Sequence, residues 1–333
     1  MPCSYHILLT IDVEDWFQVE NLKSAISFES WPTRELRVEK NTHRLLDLFD
    51  EVKLENTVDR RQKTKVQRQT PICGKNGQRA TDNGQHEKVR ATFFVLGWLA
   101  ERLPNLVREI AARGHEVASH GYGHGLCTES SSEDLREDLA RTRKLLEDII
   151  GDRVYGYRAP SFSISDDILR MIADAGYLYD SSYNSFSAHG RYGKISLNGN
   201  RRTGIGYEVF DGFYELAISN LPFSCFPILG TLGHFRHFRH SYLPWGGGAY
   251  FRLIPALVFR LGVREILRQQ QAYLFYIHPW EVDPDQPRPV GIPVSSRFKH
   301  YTNLDKTEGK LRSLLTKFHD CRLVTCREYL QEK

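Results

Sequence analysis

The residues best placed to do chemistry stand in two short clusters. Asp12, Glu14 and Asp15 put three carboxylates within four positions at the end of an apolar run, in the stretch Thr10-Ile-Asp-Val-Glu-Asp-Trp16. Like charges this close raise one another's pKa, so the cluster is costly unless something cationic sits among it. A solvated turn after a strand is the plain alternative. Further along, Ala118-Ser-His-Gly-Tyr-Gly-His124 sets His120 and His124 four apart. That spacing lets two imidazoles converge on one ion. Gly121 and Gly123 disfavour a long helix here and point to a tight loop with close backbone approach. Two imidazoles plus one carboxylate leave coordination positions open for water and substrate, as a catalytic metal requires.

Two further residues extend the set. Arg158, in Gly156-Tyr-Arg-Ala-Pro-Ser-Phe162, follows a short apolar stretch, and Pro160 stiffens the turn after it. An arginine there can hold a carboxylate ionised through a bidentate contact, with a surface ion pair as the plain reading. His278 follows the apolar run of Phe275-Tyr-Ile-His-Pro-Trp-Glu281. A lone histidine in that position is more often structural, and it matters here because a hydrolytic site needs a proton donor beside the metal.

The elements that must carry these residues alternate short apolar runs with amphipathic stretches, the pattern of an α/β protein. Strands are expected at Ile7–Ile11, Ala91–Leu96, His115–Ala118, Val154–Tyr157, Tyr177–Tyr179, Tyr273–Ile277 and Arg322–Thr325. Helices are expected over Asn41–Phe49, Ala100–Arg113 and Ser132–Ile150, the last with Gly151 as its stop signal. The chemically interesting residues fall just after strands, where α/β folds place their sites. Asp180 also follows a strand and either contacts the site or caps a turn. Val52–Lys88 lacks hydrophobic periodicity and is expected to be an exposed polar insertion. Asn184–Tyr250, rich in Gly, Pro and aromatics, is expected to form irregular structure and short strands. Within it, His234-Phe-Arg-His-Phe-Arg-His240 spaces three histidines evenly, but it has no carboxylate nearby in sequence and reads as a solvated basic loop.

Composition excludes several classes. Of 333 residues, 41% are hydrophobic and 12% aromatic, which rules out disorder for the chain as a whole. The net charge of +4 is uneven: Val52–Arg90 carries +6, leaving −2 on the remainder. The body of the chain therefore lacks the basic footprint of a nucleic-acid binder. The six cysteines are dispersed without a CxxC pair, so neither a disulfide framework nor a cysteine zinc site is expected. No apolar run is long enough for a transmembrane span, and Tyr5 leads directly into a strand without a basic n-region. A cytoplasmic location is expected.

Taken together, Asp12, the pair His120/His124, Arg158-Ala-Pro160 and the strand ending in His278 resemble, in order, the motifs of NodB-like polysaccharide deacetylases (carbohydrate esterase family 4). The resemblance extends to a branch associated with exopolysaccharide and exosortase loci, through Asp12-Val-Glu-Asp-Trp16, Arg90-Ala-Thr-Phe-Phe94, Ser119-His-Gly-Tyr122, Gly246-Gly-Gly248 with Tyr250-Phe-Arg252, and His300-Tyr-Thr-Asn303. It covers most of the chain apart from the polar insertion. It implies one α/β domain over 1–333, a distorted (β/α) barrel of about seven strands, with a family-specific C-terminal part from about 245. It also implies a divalent metal, usually Zn2+, and hydrolysis of N-acetyl groups on the hexosamines of a polysaccharide or oligosaccharide. By resemblance, Asp12 is the general base, Arg158 orients it, His278 protonates the leaving amine, and His120 and His124 are ligands. The third ligand is Glu14, with Asp15 as the alternative, because the usual adjacent aspartates are here spaced Asp-Val-Glu-Asp. The oxyanion would be held by the metal and a backbone N–H in the Phe162 turn. Trp16, Tyr122, Pro160, Phe162 and Trp280 are the expected substrate contacts, with Trp245 a further aromatic beside the motifs; aromatics fill cores equally well. Two other readings stay open: a hydrolase of small amides or cyclic ureides, and a catalytically silent carbohydrate-binding protein.

Overall fold

The computed structural model describes residues 5–52, 88–186, 192–223 and 242–332. The core of the expected polar insertion and the histidine run at 234–240 lie outside these residues.

The strands are β1 (His6–Val13), β2 (Ala91–Val95), β3 (Glu116–Ser119), β4 (Gly156–Tyr157), β5 (Tyr179–Asp180), β6 (Arg201–Thr203), β7 (Gly206–Phe210), β8 (Phe213–Leu216), β9 (Leu221–Pro222), β10 (Tyr242–Leu243), β11 (Ala272–Ile277) and β12 (Arg322–Leu323). The main sheet runs in the order β11-β1-β2-β3-β4-β5-β8-β7-β6, with β12 pairing the start of β1. From β11 to β8 every pairing is parallel, and only the β6–β7–β8 edge is antiparallel. The fold is thus mixed α/β around a central parallel sheet. Beyond β8, Ser219 reaches β11: the Leu274 N–H donates to Ser219 Oγ at 2.9 Å. The chain that follows β8 therefore touches β11 at this position.

Parallel strands covered on both faces read as nearly continuous apolar runs, and β1 and β2 are buried along their whole length. Side-chain alternation then sorts each strand into two cores. Ile7, Leu9, Ile11 and Val13 of β1 pack with Phe93, Val95, Phe275 and Ile277 in the layer that also holds the helices. Leu8 points the other way and packs with Phe94, Ala118, Leu216 and Leu274 in a smaller cluster.

The helices are α1 (Val38–Glu51), α2 (Gly97–Arg102), α3 (Pro104–Ala112), α4 (Ser132–Ile150), α5 (Asp166–Asp174), α6 (Gly248–Leu253), α7 (Ala256–Gln270), α8 (Val294–Tyr301), α9 (Leu304–Lys317) and α10 (Cys326–Gln331). The continuous helix expected over Ala100–Arg113 is instead two, because Pro104 has no N–H to continue the first and starts the second. α4 has the expected bounds: Ser131 caps its N-terminus by accepting from Asp134 N–H, and Gly151 ends it at φ 71°. Cys127 and Cys326 are free, buried thiols. Among the described residues, no helix is long and apolar enough to cross a membrane.

Strand register dictates which residues meet beyond the C-terminal ends. Ile11 pairs Ile277, so Asp12 and His278 leave β1 and β11 side by side. Val13 pairs Val95 and Val95 pairs Ser119, which brings His120 next to the end of β1. Ser119 pairs Tyr157, placing Arg158 beside His120.

His115, just before β3, is buried against Phe49 and Phe93, and its Nδ1 accepts from Ala91 N–H. Burial pushes its pKa down to about 4. Between that value and the ordinary histidine pKa the unfolded chain binds a proton that the folded chain does not, so the contribution of His115 to stability falls as pH drops through this window. In urea unfolding, the stability difference between wild type and His115→Gln should narrow from pH 6.5 to pH 4; a constant difference would refute it.

Candidate active site and metal centre

Glu14 Oε1 lies 3.0 Å from His120 Nε2 and 3.0 Å from His124 Nε2, and all three side chains are buried. The local backbone explains the convergence. Gly121 at φ 71° turns the chain after β3, and His124, itself left-handed at φ 56°, directs its ring back toward the cluster. His120 Nδ1 donates to the Arg158 carbonyl at 2.7 Å, which orients the ring and turns Nε2 to Glu14. A lone pair facing a carboxylate oxygen needs a proton or a cation between them. The 3.0 Å separations are close to the edge of about 3.3 Å of a tetrahedron with ~2.0 Å arms, so the trio fits a divalent ion. These three form the candidate metal cluster among the described residues. Burial works to protonate Glu14, but His124, His278 and the hydrogen bonds from both cluster histidines outweigh it and hold the carboxyl well below its usual range.

Asp12 lies beside this trio, 2% exposed. Arg158 Nη1 donates to Asp12 Oδ1 at 2.6 Å and to Thr10 Oγ1 at 2.8 Å. The rest of the guanidinium is held by Ser181, whose carbonyl accepts from Nε and whose hydroxyl accepts from Nη2. Its plane lies over Phe94, 4.1 Å from the ring centre. The Ser181 turn is fixed in its own right: Ser182 N–H donates to both Asp180 and Glu215. Burial raises the pKa of both these carboxyls. Asp180 therefore caps a turn behind the site.

His278 faces the trio from the other side, with Nε2 at 3.9 Å from both Asp12 Oδ2 and Glu14 Oε1. Its Nδ1 is bound to Glu281 Oε1 at 2.8 Å. Burial pulls its pKa down, but Glu14, Glu281 and Asp12 reverse that and lift it to about 9. A cavity of about 160 Å³ opens over these groups, walled by Phe162, Tyr192, Tyr250, Tyr276, Trp280 and His300.

Several expected site residues lie elsewhere. Asp15, the alternative ligand, does not join the trio: its Oδ2 accepts from Arg37 N–H at 2.7 Å and Val38 N–H at 2.9 Å, tying down the start of α1. Burial raises its pKa to about 6, partly offset by these N–H groups. Trp16 is a core residue, packed edge-on against Phe17 and donating to the Glu35 carbonyl. Tyr122 lies outside the cavity walls, bonded to Glu101 under the Arg141 guanidinium. Pro160 is buried beneath the turn and does not line the cavity. Trp245 is stacked on Phe259 in the core. Of the expected contacts, Phe162 and Trp280 do line the cavity. The Phe162 N–H, expected near an oxyanion, is bound to the Ala159 carbonyl. Sequence reasoning gave no role to Glu281, although the spacing His-x-x-Glu at a strand end could have signalled the tether.

Residues 75–179 match the polysaccharide deacetylase family. The chain carries a polysaccharide deacetylase domain. Residues 181–331 of the same chain match a domain of unknown function, DUF3473. The deacetylase stretch is 34% identical over 105 residues to the peptidoglycan deacetylase-like protein FGM2 of Gibberella zeae, covering 32% of this chain and 30% of that protein. It is 32% identical over 90 residues to a peptidoglycan-N-acetylglucosamine deacetylase of Bacillus cereus, covering 27% and 42%. The match thus spans less than half the length of these curated relatives. A Mycobacterium smegmatis structure assigned to polysaccharide deacetylases superposes with a TM-score of 0.55 at 17% identity, over 100% of this chain and 91% of that one. Puue allantoinase superposes with a TM-score of 0.51 at 11% identity, over 99% and 91%. Both likenesses concern the fold.

The deacetylase domain separates its two candidate carboxylate ligands by measurable properties. Glu14→Gln should lose most of the bound metal, whereas Asp15→Ala should keep wild-type stoichiometry in elemental analysis. The latter should also lose about 1–3 kcal/mol in denaturant unfolding, because the N–H groups of Trp16, Arg37 and Val38 lose their acceptor. Metal loss from folded Asp15→Ala would reverse the assignment.

Proposed function

We propose that this protein is a metal-dependent hydrolase that removes N-acetyl groups from the hexosamine units of a polysaccharide or its precursor. The observation that carries this reading is the placement of Asp12 and His278, 3.9 Å apart, beside the Glu14/His120/His124 trio within one cavity. Hydrolysis of an amide needs a base for the attacking water and an acid for the departing amine, and this pair supplies one of each. A divalent cation on the trio, zinc by the donor set, would polarise the amide carbonyl and make the water more acidic.

Arg158 holds Asp12 Oδ1 and so aims the carboxylate, leaving Asp12 Oδ2 to take the proton of the water. His278 holds its Nδ1 proton against Glu281 and delivers the Nε2 proton to the amine nitrogen as the C–N bond breaks, leaving acetate and a free amine. With the Phe162 N–H engaged, Ser161, which lines the cavity in a left-handed conformation at φ 52°, is the remaining backbone N–H of that turn for the oxyanion. Phe162 and Trp280 offer flat faces to the sugar. The resemblance of Gly246–Gly248 and His300–Asn303 to the exopolysaccharide branch supports a role in exopolysaccharide synthesis, with the precursor modified on the cytoplasmic side.

Acetate release from N-acetylglucosamine oligomers by the zinc-loaded protein tests the reading. Asp12→Asn and His278→Gln should each lower turnover by about 10²–10⁴-fold with bound metal unchanged. Turnover of cyclic ureides in place of oligosaccharides would favour the small-amide reading. Metal binding and glycan binding with no hydrolysis of either class would make the protein a silent binder.

A further inference from the structure

The acid side of the cavity is braced by an ion pair that the proposed chemistry does not by itself require. Arg252 Nε donates to Glu281 Oε2 at 2.7 Å, with the two side chains 0% and 1% exposed. The other Glu281 oxygen accepts from both nitrogens of one residue, His278 Nδ1 at 2.8 Å and His278 N–H at 3.2 Å. Arg252 uses its remaining donors on the backbone: Nη1 on the carbonyls of His300 and Thr302, Nη2 on that of Lys299. The seat is tight, since a Cβ on Gly248 would lie 2.1 Å from Glu281 Oε1. The imidazole itself is stacked on Trp280, which is stacked in turn on His300.

A buried ion pair is a poor device for stability, because desolvation cancels most of the attraction and apolar replacements of equal volume are often neutral. Its geometry suits another task. A carboxylate only accepts hydrogen bonds, so His278 Nδ1 must carry a proton and Nε2 must face Asp12 and Glu14. Burial alone would protonate Glu281; Arg252 and His278 keep it below its usual carboxyl range.

We propose that Arg252 and Glu281 are positioning residues that fix the tautomer and aim of His278, and that this is a task of the 181–331 stretch. The inference rests on the reading of His278 as the acid. The step it serves is balanced: the Nε2–H bond breaks, its electron pair stays on Nε2, and the proton goes to the amine nitrogen as the C–N bond opens. The Nδ1 proton stays on the Glu281 side.

The test pairs two substrates with one double variant. An N-acetylglucosamine oligomer has an amine leaving group that must be protonated; 4-nitrophenyl acetate has one that departs as an anion. Arg252→Met/Glu281→Leu replaces the pair with apolar side chains; its melting temperature should fall somewhat, because the His300, Thr302 and Lys299 carbonyls lose a donor, while the circular-dichroism spectrum and cooperative unfolding stay those of wild type. We expect amide kcat to fall about 10²–10⁴-fold with KM and metal content little changed, while ester turnover falls by less than about tenfold. A downfield His278 Nδ1 proton resonance should be present in wild type and absent from the double variant. Unchanged amide turnover, an equal loss on both substrates, or survival of that resonance would overturn the positioning role. Wild-type protein that releases no acetate, yet loses the resonance in the double variant, would sink the proposed activity and leave the tether standing.

Discussion

Two carboxylates, Asp12 and Glu14, are buried at the end of a strand that is itself buried along its whole length, and the arrangement of the site follows from what each must face. An uncompensated charge in such a place costs several kcal/mol, so each needs a cationic partner at contact distance. Asp12 has one built in. Arg158 is fully buried and every part of its guanidinium is bonded, to Asp12, Thr10 and Ser181. Glu14 has no arginine; His120 and His124 contact it, and His278 stands 3.9 Å away. Imidazoles compensate a carboxylate only by holding an extra proton or by sharing a cation with it. In the proposed reading, that asymmetry makes one acid a base and the other a ligand.

Much of this was legible in the sequence because the sheet is parallel and its register is regular. Asp12, His120, Arg158 and His278 each follow a buried apolar strand, and neighbouring parallel strands deliver their C-terminal ends to one place. The choice between Glu14 and Asp15 was also present, in a signal that motif resemblance did not use. Side chains alternate along β1, and Thr10, Asp12 and Glu14 share a parity opposite to that of Ile11, Val13 and Asp15. Thr10 and Asp12 both meet Arg158, so an acid in step with them points to the site and one out of step points away.

Adjacency in sequence served less well for the aromatics. Trp16 and Tyr122 stand next to site residues, but a neighbour along the chain faces the opposite way as often as not. Trp16 enters the helix-side core and Tyr122 pairs with Glu101. Trp280 escapes this rule because the turn after β11 folds it back between His278 and His300. The Arg252–Glu281 contact spans 29 residues and joins a helix to a turn. No local pattern announces a pairing of that kind, since it depends on how α6 packs against the end of β11.

The boundary between the deacetylase stretch and the DUF3473 stretch lies in the sequence and not in the sheet. β11 belongs to the second stretch, yet it pairs with β1 at six consecutive positions and delivers His278 to the side of Asp12. Among the described residues, the first part of the chain holds Asp12, Arg158 and the trio but not the proposed proton donor. The second holds His278, Glu281, Arg252 and the Trp280–His300 wall, but no carboxylate for it to work against. A divided acid–base pair of this kind needs the strand pairing to set its spacing: with Ile11 fixed against Ile277, a slip of one residue in β11 would turn His278 to the opposite face of the sheet. The buried pairing of β1 with β11 is therefore part of the proposed catalytic apparatus, and the apolar residues of both strands serve it as the charged ones beyond them do.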